Sequence, residues 1–267
     1  MRAESVDETE KNWYEQDPLD LVFGKGAVDK KAICAEFIGV FLFQFLGACA
    51  ASNAVDSGLS TAALGNGAAL TMIIYSTLHI SGAHLNPAVS TALFAIGEDG
   101  MTVPKFICYI TAQYTGATTG ALLLKFLCPD TAVSRNPFVT QGILSEGVSR
   151  NLAALGVFEF VLTFTLMFVI CSVFIDAKGI AKQYAALAVG LVYAVGIYCE
   201  GPYTGGSMNP ARTVAAAIAF WDFTGMWIAL VFLHGGAIAG AFLYKNAFNI
   251  TRINQARASK ESEIRYI

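Results

Sequence analysis

Six stretches of this sequence, residues 32 to 54, 63 to 81, 104 to 127, 151 to 175, 184 to 200 and 225 to 244, are apolar almost without interruption. Each approaches or exceeds the roughly 20 residues that a helix needs to cross a bilayer. Membrane-spanning strands would be nearer ~10 residues with alternating polarity, whereas the run from Phe160 to Ile175 is apolar on every face. Helices are the economical solution, because each closes its own backbone hydrogen bonds in lipid. Only 14% of the 267 residues are charged while 55% are hydrophobic, against about a quarter charged in a soluble domain. A disordered chain, a coiled coil and a nucleic-acid binder are thereby set aside. The expected architecture is one polytopic all-α membrane domain, with the lipid bilayer as its first partner.

Basic residues set the orientation. Arg2, Lys11, Lys25, Lys30 and Lys31 lie before the first block; Lys178 and Lys182 follow the fourth; Lys245, Arg252, Arg257, Lys260 and Arg265 close the chain. The link after the first block has none, and the 128 to 150 link has only Arg135 and Arg150. Both termini are therefore expected in the cytoplasm, which would leave the Asn249-Ile250-Thr251 sequon unused. The acidic, polar first 31 residues do not read as a cleavable signal peptide. The six cysteines (Cys34, Cys49, Cys108, Cys128, Cys171 and Cys199) form no CxxC pair and read as packing residues.

Two stretches fit neither a span nor an ordinary loop. His79 to Ser90 reads His-Ile-Ser-Gly-Ala-His-Leu-Asn-Pro-Ala-Val-Ser, and Gly201 to Arg212 reads Gly-Pro-Tyr-Thr-Gly-Gly-Ser-Met-Asn-Pro-Ala-Arg. In each, Asn-Pro reads as an N-cap followed by proline at the first helical position. Each helix that follows has about 11 residues, hence about 16 Å of length against a hydrocarbon core of about 30 Å. They are read as half-spans that enter the membrane and turn back.

The chain also repeats itself. Glu36 precedes Asn86 by 50 positions, and Glu159 precedes Asn209 by 50, so one offset of 123 superposes both pairs. Each repeat has three spans with a half-span between the second and third, so the second starts from the opposite side of the membrane. An inverted repeat of this kind places its binding or conduction site at the midplane, where broken helices meet. The expected divisions are a cytoplasmic tail (1–31), a first repeat (32–127), an extracytoplasmic link (128–150), a second repeat (151–245) and a cytoplasmic tail (246–267).

The chemistry follows from these segments. Two half-helices inserted from opposite sides bring their amino ends together, each with roughly +0.5 of an elementary charge. Such a centre repels cations. Asn86 and Asn209 are expected to cap their own helices through the side-chain oxygen and to turn the NH2 group toward the lumen. A water accepting from both must point its hydrogens outward, which breaks a proton wire. An arginine within the membrane is expensive and marks a functional site, and Arg212 follows Pro210-Ala211 directly. Glu36 and Glu159 are read as the only carboxylates well inside the full spans. Their expected role is to accept backbone N–H groups leading into the half-helices and to stay ionised; the alternative is a proton-coupling or ion site.

Glycines such as Gly116, Gly120, Gly236 and Gly240 are read as close-packing positions. His79, His84 and His234 are too dispersed for a metal site; His79 and His84 flank the first loop, where a structural role competes with a pH gate. Trp221, Trp227 and Tyr244 are read as interface markers. Ser5, Thr9, Ser259 and Ser262 are candidate phosphorylation sites with little context. No catalytic residue, metal or cofactor is called for.

With six spans, an inverted repeat and two correctly spaced motifs, Asn86-Pro87-Ala88 and Asn209-Pro210-Ala211-Arg212, the chain resembles the aquaporins, the major intrinsic protein family, over residues 32 to 245. The resemblance implies a homotetramer with one pore per subunit, passing water and small uncharged solutes such as urea, ammonia, hydrogen peroxide or glycerol. It also implies a second constriction at four positions, here Asn66, Ile197, Gly206 and Arg212. Only Arg212 matches the strict water-selective pattern, so the filter looks like that of the plant tonoplast intrinsic group. Thr213 stands where glycerol facilitators usually carry Asp, and Val231 to Gly236 lacks the Trp-x-Gly-Pro segment of many relatives. The rival readings are a secondary transporter, which the same inverted repeat permits, and a structural junction protein with a closed pore.

Overall fold

The computed structural model describes residues 18–23, 27–98, 100–128, 152–176, 179 and 182–248. Most of the 128–150 link, the tail residues from 249 onward with the Asn249 sequon, the Ser and Thr candidates of both tails, and the basic residues Arg2, Lys11, Lys25, Arg135, Arg150 and Lys178 lie outside the described residues.

Helices follow the apolar blocks to within a few residues. A short α1 (Pro18–Phe23) precedes α2 (Lys30–Ser57), α3 (Leu59–Ser81), α4 (Pro87–Ile96), α5 (Val103–Leu127), α6 (Leu152–Ile170), α7 (Ala185–Glu200), α8 (Pro210–Phe220) and α9 (Met226–Phe248). Local chemistry sets several of the starts. The Asp29 carboxylate accepts from the Lys31 N–H at 2.8 Å, and the Thr102 hydroxyl caps α5 with proline in the first turn. The end of α6 widens into a π turn, Cys171–Ile175.

Four helical stretches, Lys30–Ala54, Leu152–Ile175, Lys182–Glu200 and Met226–Phe248, are long and apolar enough to cross a membrane. The other two long helices, α3 and α5, are diluted by Asn66, Gln113 and a series of hydroxyl residues. Those hydroxyls are satisfied within the helix, as in Thr71 to the Gly67 carbonyl at 2.9 Å and Thr118 to the Tyr114 carbonyl at 2.8 Å, so they burden the apolar surroundings little.

The surface is unlike that of a soluble domain. Leu64, Met72, Phe126, Val157, Leu191 and Val231 are each more than half exposed, while Glu36, Gln44, Gln113, Glu159, Glu200 and Thr213 have no exposure within a core that is otherwise largely apolar. An apolar skin with the polar groups kept inside suits a chain solvated by hydrocarbon.

The two repeats interlock. Helix α2 packs on α5 as α6 packs on α9, and α3 meets α7 between them. The half-helices cross over: α4 packs mainly on α9, and α8 on α5. Close approach depends on glycine. A Cβ on Gly116, Gly120, Gly236 or Gly240 would stand 2.3 to 2.7 Å from the carbonyl oxygens of Phe37, Phe41, Phe160 and Phe164 respectively. The glycines repeat with an offset of 120 and their carbonyl partners with 123, so the same packing contact recurs and the second repeat is three residues shorter between its half-helix and its third span.

Tyr244 departs from its expected place at an interface. It is buried, its hydroxyl donates to Asp176 Oδ2 at 3.0 Å, and its ring packs edge-on against Phe168. The following Phe248 and the π turn close around it, which the hydropathy of α9 does not reveal. Trp221 and Trp227 are 80% and 71% exposed.

Candidate functional site

The two half-helices start alike. Asn86 and Asn209 are extended N-caps, and each Oδ1 accepts from the N–H two residues on, Ala88 and Ala211, both at 2.9 Å. Pro87 and Pro210 occupy the first helical positions, where no N–H is needed. The residues before the caps, Leu85 and Met208, have φ of +52° and +48°. This left-handed region costs a non-glycine residue about 1–3 kcal/mol, so the surroundings must hold it.

They hold it at both ends of the residue. The Leu85 N–H donates to Glu36 Oε2 at 2.7 Å, and the Met208 N–H to Glu159 Oε2 at 3.0 Å. The Leu85 carbonyl accepts from Asn209 Nδ2 at 2.8 Å, and the Met208 carbonyl from Asn86 Nδ2 at 2.7 Å. Each strained turn is thus clamped by its own repeat's glutamate and by the other repeat's asparagine. The carboxamides differ here from the sequence expectation. One N–H of each amide is committed across the centre, which leaves each a second N–H rather than a whole NH2 group for a solute.

The glutamates are buried without exposure. Glu36 accepts four bonds: Ser81 Oγ (2.6 Å), His84 N (3.0 Å), Leu85 N (2.7 Å) and Gln113 Nε2 (2.8 Å). Glu159 accepts the N–H groups of Ser207 (3.2 Å) and Met208 (3.0 Å), with the Thr204 hydroxyl and Arg212 nearby. A further brace spans six residues in each loop. His84 Nδ1 meets Ser90 Oγ at 3.0 Å, and Ser207 Oγ meets Thr213 Oγ1 at 2.8 Å. His84 is buried in this brace, His79 is exposed at the end of α3, and the half-buried His234 bonds the Leu230 carbonyl at 2.8 Å.

Arg212 sits inside the fold at 6% exposure. Its guanidinium lies over the Phe43 ring at 4.6 Å and the Tyr193 ring at 5.6 Å, and Nε donates to Gln44 Oε1 at 3.1 Å. Asn66 donates both amide hydrogens, to the carbonyls of Gly47 (3.0 Å) and Ala62 (2.8 Å). A Cβ built on Gly47 would stand 2.2 Å from Asn66 Oδ1 and 3.3 Å from Arg212 Nη2, so these two residues share one small space. Gly206 has φ of +67°, and a Cβ there would meet Ile197 at 3.1 Å. The pairs Asn66 with Arg212 and Ile197 with Gly206 are therefore each brought together, and the Tyr193 ring, one turn before Ile197, lies against Arg212.

Next to the asparagines lies a cavity of about 250 Å³ whose walls include Phe43, Leu85, Asn86, Phe174, Tyr193 and Asn209. Phe43 and Tyr193 face both the cavity and the guanidinium, so the rings stand between the two. The wall is mostly apolar, with His84 as well as the two asparagines among its polar groups, which offers a passing solute few but fixed hydrogen-bond partners. Among the described residues no three His, Cys, Asp or Glu side chains gather to hold a metal.

Three features escaped the sequence reading. Gln44 is buried against Arg212. Glu200, at the last position of α7, is a third buried carboxylate, so Glu36 and Glu159 are not the only ones inside the spans. Neither of its oxygens is in hydrogen-bonding geometry with a partner among the described residues, and the Thr204 hydroxyl lies beside it. The third feature is a pair of lysine caps. Lys125 at the end of α5 donates to the Ala219 carbonyl in the last turn of α8, and Lys245 of α9 donates to the Ile96 carbonyl that ends α4. Each places a cation at the negative end of a half-helix dipole. The offset of 120 between the two lysines was a readable signal.

Comparison with known proteins agrees with this geometry. The family model described as major intrinsic protein matches residues 25–244. Aquaporin NIP3-1 of Oryza sativa subsp. japonica is 35% identical over 79% of this chain and 66% of the relative. Aquaporin TIP2-1 of Arabidopsis thaliana is 37% identical over 82% of this chain and 87% of the relative. Among solved structures, an aquaglyceroporin from Plasmodium falciparum aligns with a TM-score of 0.64 at 28% identity, covering 80% of this chain and 94% of the other.

Proposed function

The chain belongs to the major intrinsic protein family and is a passive membrane channel for water and small solutes, not an enzyme; we propose that Asn86, Asn209 and Arg212 line its path. The observation that carries this reading is the reciprocal clasp of the two half-helix starts, with each asparagine bonded to the opposite loop beside an apolar cavity. The clasp fixes two N–H donors and two positive helix ends at one place. A monovalent cation about 4 Å from one whole positive charge, the sum of two half charges, is repelled by about 4 kcal/mol at an effective dielectric of ~20. Water carries no net charge and escapes that barrier. A water accepting from both amides turns its hydrogens away from the centre, so protons cannot hop along the file.

Asn66, Ile197, Gly206 and Arg212 form the second constriction. With glycine and isoleucine on one side and an amide beside the guanidinium on the other, it admits urea, ammonia, hydrogen peroxide or glycerol as well as water. Glu36 and Glu159 anchor the loops. Both termini face the cytoplasm, the repeats comprise residues 32–127 and 151–245, and the working unit is a homotetramer with one pore in each subunit. Support for these statements comes from the basic residues on the chain's links and tails and from the family resemblance.

The test is stopped-flow light scattering of proteoliposomes under water, urea, glycerol and ammonia gradients, with a pH-sensitive dye inside. Fast, non-saturating water and solute flux with no proton leak is expected. Saturable, proton-linked uptake would mean a transporter, and well-formed oligomers without flux would mean a closed pore.

A further inference from the structure

We propose that Gln44 is a positioning residue for Arg212, holding the guanidinium against α2 and so setting the width of the constriction. The inference rests on the reading of Arg212 as part of the path. Gln44 has no exposure, and its Oε1 is the acceptor for Arg212 Nε at 3.1 Å. Its Nε2 has no hydrogen-bond partner among the described residues. A flipped amide would put NH2 against a guanidinium N–H, donor to donor, so the cation dictates the orientation even though Nε2 goes unmatched.

The stem of Gln44 is fixed as well. A Cβ on Gly120 of α5 would stand 3.3 Å from Gln44 Cβ, so the side chain is backed by a helix that cannot retreat. Its chain neighbour Phe43 supplies the ring under the guanidinium at 4.6 Å, and Gly47, one turn further along α2, leaves room for Nη2. Helix α2 thus offers an acceptor, a ring face and a gap to a single arginine. An aliphatic residue at 44 would keep the ring and the gap but remove the only one of the three that is directional.

A buried charged N–H that loses its acceptor finds another. Off α2 the acceptors near Arg212 are the unmatched Asn66 Oδ1 on α3 and the Tyr193 hydroxyl on α7, so the guanidinium is expected to shift away from α2 across the constriction and narrow the path. Larger solutes then suffer more than water.

The measurement is the ratio of urea to water permeability in proteoliposomes of Gln44→Met, which keeps length without the acceptor, and Gln44→Glu, which keeps the acceptor. The ratio should fall about three- to tenfold in Q44M, the scale on which one lost hydrogen bond changes a rate, and stay near native in Q44E. In an Arg212→Ala background, Q44M should change nothing further. An unchanged ratio in Q44M, or the same fall with and without Arg212, overturns the proposal. If Q44M does not fold, a shifted ratio in Q44E overturns it and a native one supports it. A native chain that passes no water defeats the channel reading instead. In that case a structure of Q44M decides the positioning role alone, by whether the guanidinium has left α2.

Discussion

The loops before α4 and α8 share a cap, a proline, a strained residue and a buried glutamate, yet they are held to different degrees. Glu36 receives four donors, one of them the amide of Gln113 on α5. At the corresponding place on α9, with the offset of 120, stands Leu233, which offers no hydrogen bond. Glu159 takes two backbone N–H groups, and its neighbourhood adds Arg212 where the first repeat has Val89, and Glu200 where it has Thr77. The first loop is a closed network. The second sets a cation and a further carboxylate beside its glutamate. A duplicated scaffold lets the two copies diverge around the same cap, proline and glutamate.

The largest effect should come from deleting the anchors. Glu36→Leu orphans four donors and should cost about 4 kcal/mol, or the fold itself, against about 2 kcal/mol for Glu159→Leu, since each buried donor left unmatched costs roughly 1–3 kcal/mol. Thermal unfolding in detergent followed by circular dichroism measures both, and a greater loss in E159L would reverse the comparison. Next, Arg212→Val gives the second loop the residue of the first. Urea flux should rise about tenfold, equivalent to ~1.4 kcal/mol of barrier; native selectivity in R212V would remove Arg212 from the constriction.

Glu200→Thr likewise imports the residue of the first repeat and removes an unmatched buried carboxylate. It should raise stability by about 1 kcal/mol, read as a higher unfolding temperature, whereas a loss would mean that Glu200 has a partner in the membrane-embedded protein. Smallest are the lysine caps. Lys125→Met and Lys245→Met should each cost about 1 kcal/mol or less, with K245M the greater because Lys245 also lies 3.6 Å from Glu98. A larger loss in K125M would show the second half-helix to be the more dependent on its cap.

Much of this was legible in the residues. The spans follow from apolar length, the half-helices from Asn-Pro after a glycine-rich turn, and the pairing of Glu36 with Glu159 from a common offset. Gln44 was not legible, because a lone polar residue in an apolar block gives no direction and its partner lies 168 positions away. Glu200 closes a span, where a carboxylate is equally at home in water; only the packing of α6, α7 and the second loop buries it. Tyr244 was misread for the converse reason, since an aromatic residue near a span's end fits an interface or a core.

The sequence by itself determined what is local or periodic: which segments are solvated by lipid, where each half-helix begins, and that the chain is a repeat inverted on itself. Those depend on hydropathy, on turn and cap chemistry, and on spacing, all of which act between near neighbours or recur at a fixed interval. The tertiary structure decided which groups meet at the centre. The clasp of each asparagine on the opposite loop spans 122 and 124 positions, and the lysine caps 94 and 149. Such contacts exist only once the crossed half-helices pack on the partner repeat, because a hydrogen bond is fixed by distance and direction in space, to which order along the chain gives no guide.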